Sequence, residues 1–360
     1  MKKLTAVILT VTAVLSSGAA VTEKPDVYRK EILKNRFIEL EFLPESLGRL
    51  NQIKLNSSGR KLLLERTLTK VSVDPLYEFY RNNTFGCGEN FWKNYVAQRD
   101  GKSRVSVPED GSILFENKWY GGLPIDLRRK TTLLPESTIW LYEAEVFNRG
   151  QKPFYLAVWY SLTPDNAANT ILQIPAAGKI NKHVLGNLHI LDRDAVISQK
   201  IGLFAPKRNW IATVYPDEKA VLAIIAPPEE FFPDGAFYSW YGEDNRIKYR
   251  SMEIILNGKN IAPGQKTSVK CMFAVFLNLD GIKDVAGVTA VNVKKDGKKA
   301  TLILAPARKT AAGEMIVYSG EKQYKVTVPV LYPGENHQIE IDDCGPISGI
   351  LPDGSKFDLQ

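Results

Sequence analysis

The chain has 360 residues, 44% of them hydrophobic and 24% charged, with a formal net charge of +7. This balance supplies enough apolar mass for a packed core and excludes disordered, collagenous and coiled-coil classes. No run of five or six like charges and no basic-aromatic motif occurs, so the excess charge reads as a solvated surface and nucleic acid is not an expected partner.

At the N-terminus, Lys2 and Lys3 precede an apolar run over 4–15 and the small residues Ser16, Ser17, Gly18, Ala19 and Ala20. This pattern predicts a secretory signal over 1–20, cleaved near Ala20, and a periplasmic or extracellular protein. The apolar run is too short to span a bilayer core of about 30 Å as a helix, and no later segment approaches that length, so membrane insertion is not expected.

Beyond the signal, period-2 alternation dominates. A weak helical pattern over 27–33 suggests one or two turns of helix. Ile38, Leu40 and Phe42 alternate with Glu39 and Glu41, which predicts a half-buried strand. A turn over 44–48 and a hairpin loop at Asn56-Ser57-Ser58-Gly59 follow. Trp140, Tyr142, Ala144 and Val146 alternate with Leu141, Glu143 and Glu145; those two carboxylates read as a solvated face. The run 154–162 is apolar on both faces, as expected of one central strand. Strands are predicted over 210–215 and 220–226, around a turn that Pro216 presets. On a strand over 249–256, Tyr249, Ser251, Glu253 and Ile255 share one face, and another strand covers 267–276. From Val288 the strands become short, Lys-rich and regularly spaced. The expected architecture is all-β: a large first domain over 22–278 and a small Ig-like β-sandwich over 285–360.

Three Cys occur, an odd number. Cys271 reads as a buried small hydrophobe, and Cys87 and Cys344 could pair if their Cα atoms come within about 7 Å. The three His, at 183, 189 and 337, form no metal-ligand spacing, so no metal site is expected. No P-loop, dinucleotide fingerprint or Gly-x-Ser-x-Gly elbow appears, so no cofactor is expected.

Aromatic density is the positive signal. Phe231, Phe232, Phe237, Tyr238, Trp240 and Tyr241 crowd around Pro233-Asp234-Gly235, followed by Asp244, Asn245 and Arg246. Rings stack on the C–H faces of sugars while carboxylates, amides and guanidiniums satisfy the hydroxyls. Burying roughly 40–60 Å² per ring is worth about 1–1.5 kcal/mol. The same rings would equally serve to seal the end of a sandwich. A second cluster, Glu89-Asn90-Phe91-Trp92, also mixes rings with polar groups, and a packing role is the competing reading. Glu253 lies within a strand between Met252 and Ile254; a partly buried Glu acquires a raised pKa suited to acid–base work, and a Glu on a wet sheet face is the alternative.

The stretch from Asn35 through Pro44-Glu45-Ser46-Leu47-Gly48-Arg49 resembles the opening of galactose mutarotase-like (aldose 1-epimerase-like) domains. Asn148-Arg149-Gly150-Gln151-Lys152-Pro153 resembles their central hairpin, and Glu253 followed by Ala262-Pro263-Gly264-Gln265 resembles their last strands. The resemblance implies a β-supersandwich with a sugar groove across one sheet and Glu253 as proton acceptor from an anomeric hydroxyl. The family's partner His would fall at 157–161, where this chain has Ala157-Val158-Trp159-Tyr160-Ser161, and Ser46-Leu47 replace the usual Gly. Simple aldose epimerisation is therefore not expected. The expectation is a carbohydrate-binding or carbohydrate-processing protein. Glu253 and Tyr160 are the candidate catalytic residues; Trp159, Trp240, Tyr241, Asp244, Arg250, Trp92 and Glu89 are the candidate ligand contacts. A polysaccharide lyase or glycosidase, or a non-catalytic envelope protein, are the alternatives.

Overall fold

The structure, a computed structural model, describes residues 29–64, 88–91, 103–108, 110–176, 179–185, 200–203, 206–244 and 247–359. The expected signal segment, Cys87, Trp92, Asn245 and Arg246 lie outside the described residues. The strands in chain order are β1 (Glu31–Lys34), β2 (Ile38–Leu43), β3 (Arg49–Leu55), β4 (Gly88–Phe91), β5 (Arg104–Ser106), β6 (Ser112–Asn117), β7 (Ile125–Leu133), β8 (Ile139–Asn148), β9 (Phe154–Leu156), β10 (Val158–Leu162), β11 (Ile171–Ala176), β12 (Lys179–Val184), β13 (Lys200–Leu203) and β14 (Trp210–Tyr215). They continue with β15 (Ala220–Ile225), β16 (Ala236–Asp244), β17 (Ile247–Arg250), β18 (Met252–Ile255), β19 (Lys259–Ile261), β20 (Lys266–Leu277), β21 (Asp284–Ala286), β22 (Thr289–Asp296), β23 (Lys299–Pro306), β24 (Gly313–Ser319), β25 (Lys322–Val328), β26 (His337–Asp342), β27 (Ile347–Ile350) and β28 (Lys356–Asp358). Among the described residues a short α-helix, α1 (Pro228–Phe231), precedes β16. Among the described residues no helix is long and apolar enough to cross a membrane.

The sheets stack in layers. A six-stranded sheet (β13-β16-β18-β10-β4, with β17 on β16) faces a nine-stranded sheet (β12-β11-β14-β15-β20-β8-β7-β6-β5). Between them lies the largest apolar cluster, with Phe91, Tyr142, Tyr160, Ile211, Leu222, Ile254 and Phe273 in it. The far side of the nine-stranded sheet is covered by β21-β22-β23-β26, through Trp210, Ala212, Val221, Ala223, Ala274, Ala290 and Ile303. A third cluster fills the space between that sheet and the last one, β25-β24-β27-β28. Such layering explains why β14 and β15 are buried at every position: each is covered on both faces, so both alternating sets must be apolar.

Three expectations about elements change. Residues 31–34 form the strand β1 against β2 in place of a helical turn, which gives the backbone pairing partners and buries Leu33. The apolar run 154–162 is two strands in different sheets: β9 pairs with β19, and β10 pairs with β18 and β4. The strand expected over 249–256 breaks at Ser251, whose N–H donates to the carbonyl of Trp240 (2.9 Å) and whose hydroxyl accepts from the Trp240 N–H (2.7 Å).

Asp284 fastens the last two sheets to the rest. Its carboxylate accepts from the Trp210 indole (3.0 Å), the Arg208 Nε (3.3 Å) and the Asp358 N–H (2.8 Å). Asp284→Ala leaves all three buried or half-buried donors without their acceptor and is expected to cost about 2–4 kcal/mol in urea unfolding. Asp284→Asn, which keeps one oxygen, should lose about half as much; equal stability of all three proteins would show that the contact is ornamental.

Candidate functional site

The six-stranded sheet positions the site by strand alternation. On β10, Val158, Tyr160 and Leu162 point into the core, so Trp159 and Ser161 lie on the outer face. On β18, Met252 and Ile254 point inward, so Glu253 and Ile255 share that outer face. On β16, Phe237 is core, and Ala236, Tyr238 and Trp240 are outward. Register then brings them together: Glu253 lies opposite Ser161 on β10 and Tyr238 on β16, and Trp159 lies opposite Asn90 on β4. A separate small cluster of Ala157, Ala236 and Ile255, flanked by Tyr155, Trp159 and Tyr238, lines this face. The Trp159 and Tyr238 rings meet edge to face with centroids 5.8 Å apart.

Glu253 is only 2% exposed. The Trp159 indole donates to its Oε2 (2.5 Å), and the Ser251 hydroxyl donates to its Oε1. Burial pushes its pKa up to about 7, against the opposing pull of the Ser251 and Trp159 hydrogen bonds. At neutral pH this carboxyl therefore exists in both protonation states, the condition for giving or taking a proton.

Of the residues singled out in the sequence, the structure brings Glu253, Trp159 and Trp240 onto one face, with the half-buried Trp240 anchored to Ser251. Arg250 is buried at the end of β17, with its backbone opposite Tyr241; Asp244 lies opposite Ile247. Tyr160 is elsewhere. It lies on the core side of the sheet, its ring 4.9 Å from that of Tyr142 and 4.8 Å from that of Phe273, and cannot share chemistry with Glu253. Glu89 is also on the core side, where its carboxylate meets Arg129 Nη1 (2.9 Å) and accepts from the Tyr142 hydroxyl (3.1 Å). Burial, with Glu89 second, drives the Tyr142 pKa well up.

The rings of the aromatic loop point two ways. Phe231 and Phe237 are fully buried and pack ring to ring at 5.1 Å, sealing the sandwich, while Tyr238 and Trp240 face outward. Tyr238 is the site residue whose place sequence reasoning missed; its position opposite Glu253 is set by the pairing of β16 with β18, a long-range register that no local pattern announces. Among the described residues no group of three or more His, Cys, Asp or Glu is placed to hold a metal ion.

No protein-family model matches the sequence, and no curated protein matches it. Solved structures do. A TPR-domain containing protein from Parabacteroides distasonis ATCC 8503 is 14% identical, with a TM-score of 0.51 over 72% of this chain. This chain spans about half the length of that protein, 48%. A galactose mutarotase-like protein from Lactobacillus casei ATCC 334 is 10% identical, with a TM-score of 0.49 over 69% of this chain and 100% of the other. A heparan sulfate lyase mutant from Pedobacter heparinus is 12% identical, with a TM-score of 0.45 over 88% of this chain and 44% of the other. The chain is an all-β sandwich protein, similar in structure to galactose mutarotase-like proteins.

Proposed function

We propose that the protein is exported and handles carbohydrate on the outer face of the six-stranded sheet, with Glu253 exchanging a proton with a sugar hydroxyl. The observation that carries this reading is a carboxyl 2% exposed, raised to about 7 and set among Trp159 and Tyr238. Rings supply faces for the C–H surfaces of a sugar, and Glu253, Ser161 and Asn90 supply polar partners for its hydroxyls. Tyr238 takes the position beside Glu253 that Tyr160 does not occupy; with a reference pKa near 10, a phenol serves there as a hydrogen-bonding group more readily than as a proton donor. This supports binding, or a reaction in which Glu253 carries the proton transfer, over simple aldose epimerisation.

The test is a screen of mono- and oligosaccharides for binding and turnover. Trp240→Ala is expected to weaken binding about tenfold, the equivalent of one stacked ring. Glu253→Gln is expected to abolish turnover of any substrate found while retaining binding. Unchanged affinity in Trp240→Ala would remove the ring platform, and full turnover in Glu253→Gln would clear the carboxylate of the role. Binding without turnover by the wild type would favour a non-catalytic sugar binder. Export is checked by the mature N-terminus of the full chain in a Gram-negative host, expected near Ala20.

A further inference from the structure

A pocket lies on the outer surface of the nine-stranded sheet. Its volume is about 560 Å³, within the range of small-molecule sites, and its walls include Trp119, Phe147, Arg104, Glu116, Asp126 and Arg128. Trp119 is 57% exposed and adopts φ 51°, ψ 52°, a left-handed conformation that bulky side chains rarely take. The residue after it explains how the ring is held out. Tyr120 is fully buried, edge to face with Phe91 at 6.0 Å and beneath the Arg129 guanidinium at 5.4 Å. Tyr120 anchors the turn, Gly121 and Gly122 continue it at positive φ, and Trp119 is left on the surface.

The charges beside it are arranged across strands. Arg104 on β5 lies opposite Glu116 on β6, which lies opposite Arg128 on β7. Both guanidiniums lean on this one carboxylate, with Nε atoms at 3.8 and 3.7 Å. The other acids are already matched from outside the row, Asp126 by Arg149 (2.5 Å) and Glu145 by Lys266 (2.9 Å). The lining thus carries Arg104, Lys118 and Arg128 against Glu116, Asp126 and Glu145, with Glu145 directly opposite Arg128; Arg149 and Lys266 meet two of those acids from outside and leave Arg104 and Arg128 sharing Glu116. Exposed pairs of this kind exchange partners at little cost.

We infer that this pocket binds a carboxylate-bearing pyranose, a uronate within an oligosaccharide, with its ring against Trp119 and its carboxylate taken by Arg104 and Arg128. This site is independent of Glu253, which lies on a different sheet and a different face.

The experiment is calorimetric titration of the full chain with galacturonate, glucuronate and mannuronate oligosaccharides and with the methyl ester of each. At least one acid is expected to bind, its ester at least tenfold more weakly, with affinity falling as salt is raised. Trp119→Gly and Arg128→Gln are each expected to weaken that binding at least tenfold. Gly accepts positive φ without strain, so Trp119→Gly should melt at or above the wild-type temperature. Binding of none of the acids, equal binding of acid and ester, or wild-type affinity in Trp119→Gly would each overturn the inference. So would a lower melting temperature in Trp119→Gly, which would make Trp119 a packing residue.

Discussion

Arg129→Ala is expected to lower stability by about 3–5 kcal/mol, a large share of what holds a typical domain together. Arg129 is 3% exposed and stands between the two large sheets. Its guanidinium meets Glu89 (2.9 Å), donates to Asn117 Oδ1 (2.8 Å) and to the carbonyl of Leu47, and lies 5.6 Å from the centre of the Phe115 ring. Burial works against its charge, yet Glu89, Tyr120 and Tyr142 outweigh that and raise its pKa above the ordinary value. Removing the cation leaves Glu89, 2% exposed, as an unpaired buried carboxylate. It also releases Leu47, which holds φ 56° in the turn between β2 and β3. The Leu47 conformation is tolerated because Arg129 grips its carbonyl and burial grips its side chain. Urea unfolding should show a lower midpoint at unchanged slope. In a double-mutant cycle with Glu89→Gln, the two losses should fall short of additive by about 2 kcal/mol or more. A loss under about 1 kcal/mol in Arg129→Ala would mean that water or a neighbouring group takes over the pairing.

This network was not legible in the sequence, for a physical reason. Arg128-Arg129-Lys130 reads as a wet strand face, and strand alternation alone does not say which member of a basic run turns inward. The strands that could be read, β2, β8, β14, β15 and β20, are those whose apolar positions alternate or fill both faces between clear turns. The run 154–162 defeated the same logic: with apolar residues on both sides, period 2 cannot tell which of Trp159 and Tyr160 faces the core, nor show the break at Ala157. Glu253 was legible because an acidic residue between Met252 and Ile254 is a local conflict, and such conflicts gather at functional or strained positions. Its partner ring Tyr238 was legible only as one member of an aromatic cluster. Trp119 gave no signal, since a single Trp before Tyr-Gly-Gly looks like an ordinary turn.

Glu253→Gln is expected to stabilise the protein at pH 8 by about 2–3 kcal/mol and to change it little at pH 4.5. The folded protein holds the Glu253 proton to about pH 7, against a reference near 4.5 for an exposed carboxyl. Between those values Glu253 binds its proton more in the folded state than in the unfolded chain, so the contribution of this group to stability falls as pH rises and levels off above about 7. A shift of that size corresponds to about 3 kcal/mol. Gln removes the titration and keeps most of the hydrogen bonding: its carbonyl can accept from the Trp159 indole, and its amide can donate to the Ser251 hydroxyl. The stability difference between variant and wild type should grow in the variant's favour between pH 4.5 and 7, measured by urea unfolding at half-unit steps. Parallel profiles for the two proteins would place the carboxyl in contact with water or a cation and return it to an ordinary surface acid. The expected divergence would instead mean that the fold keeps an ionisable group where an amide serves stability better, a residue retained against its structural cost for the proton it can carry.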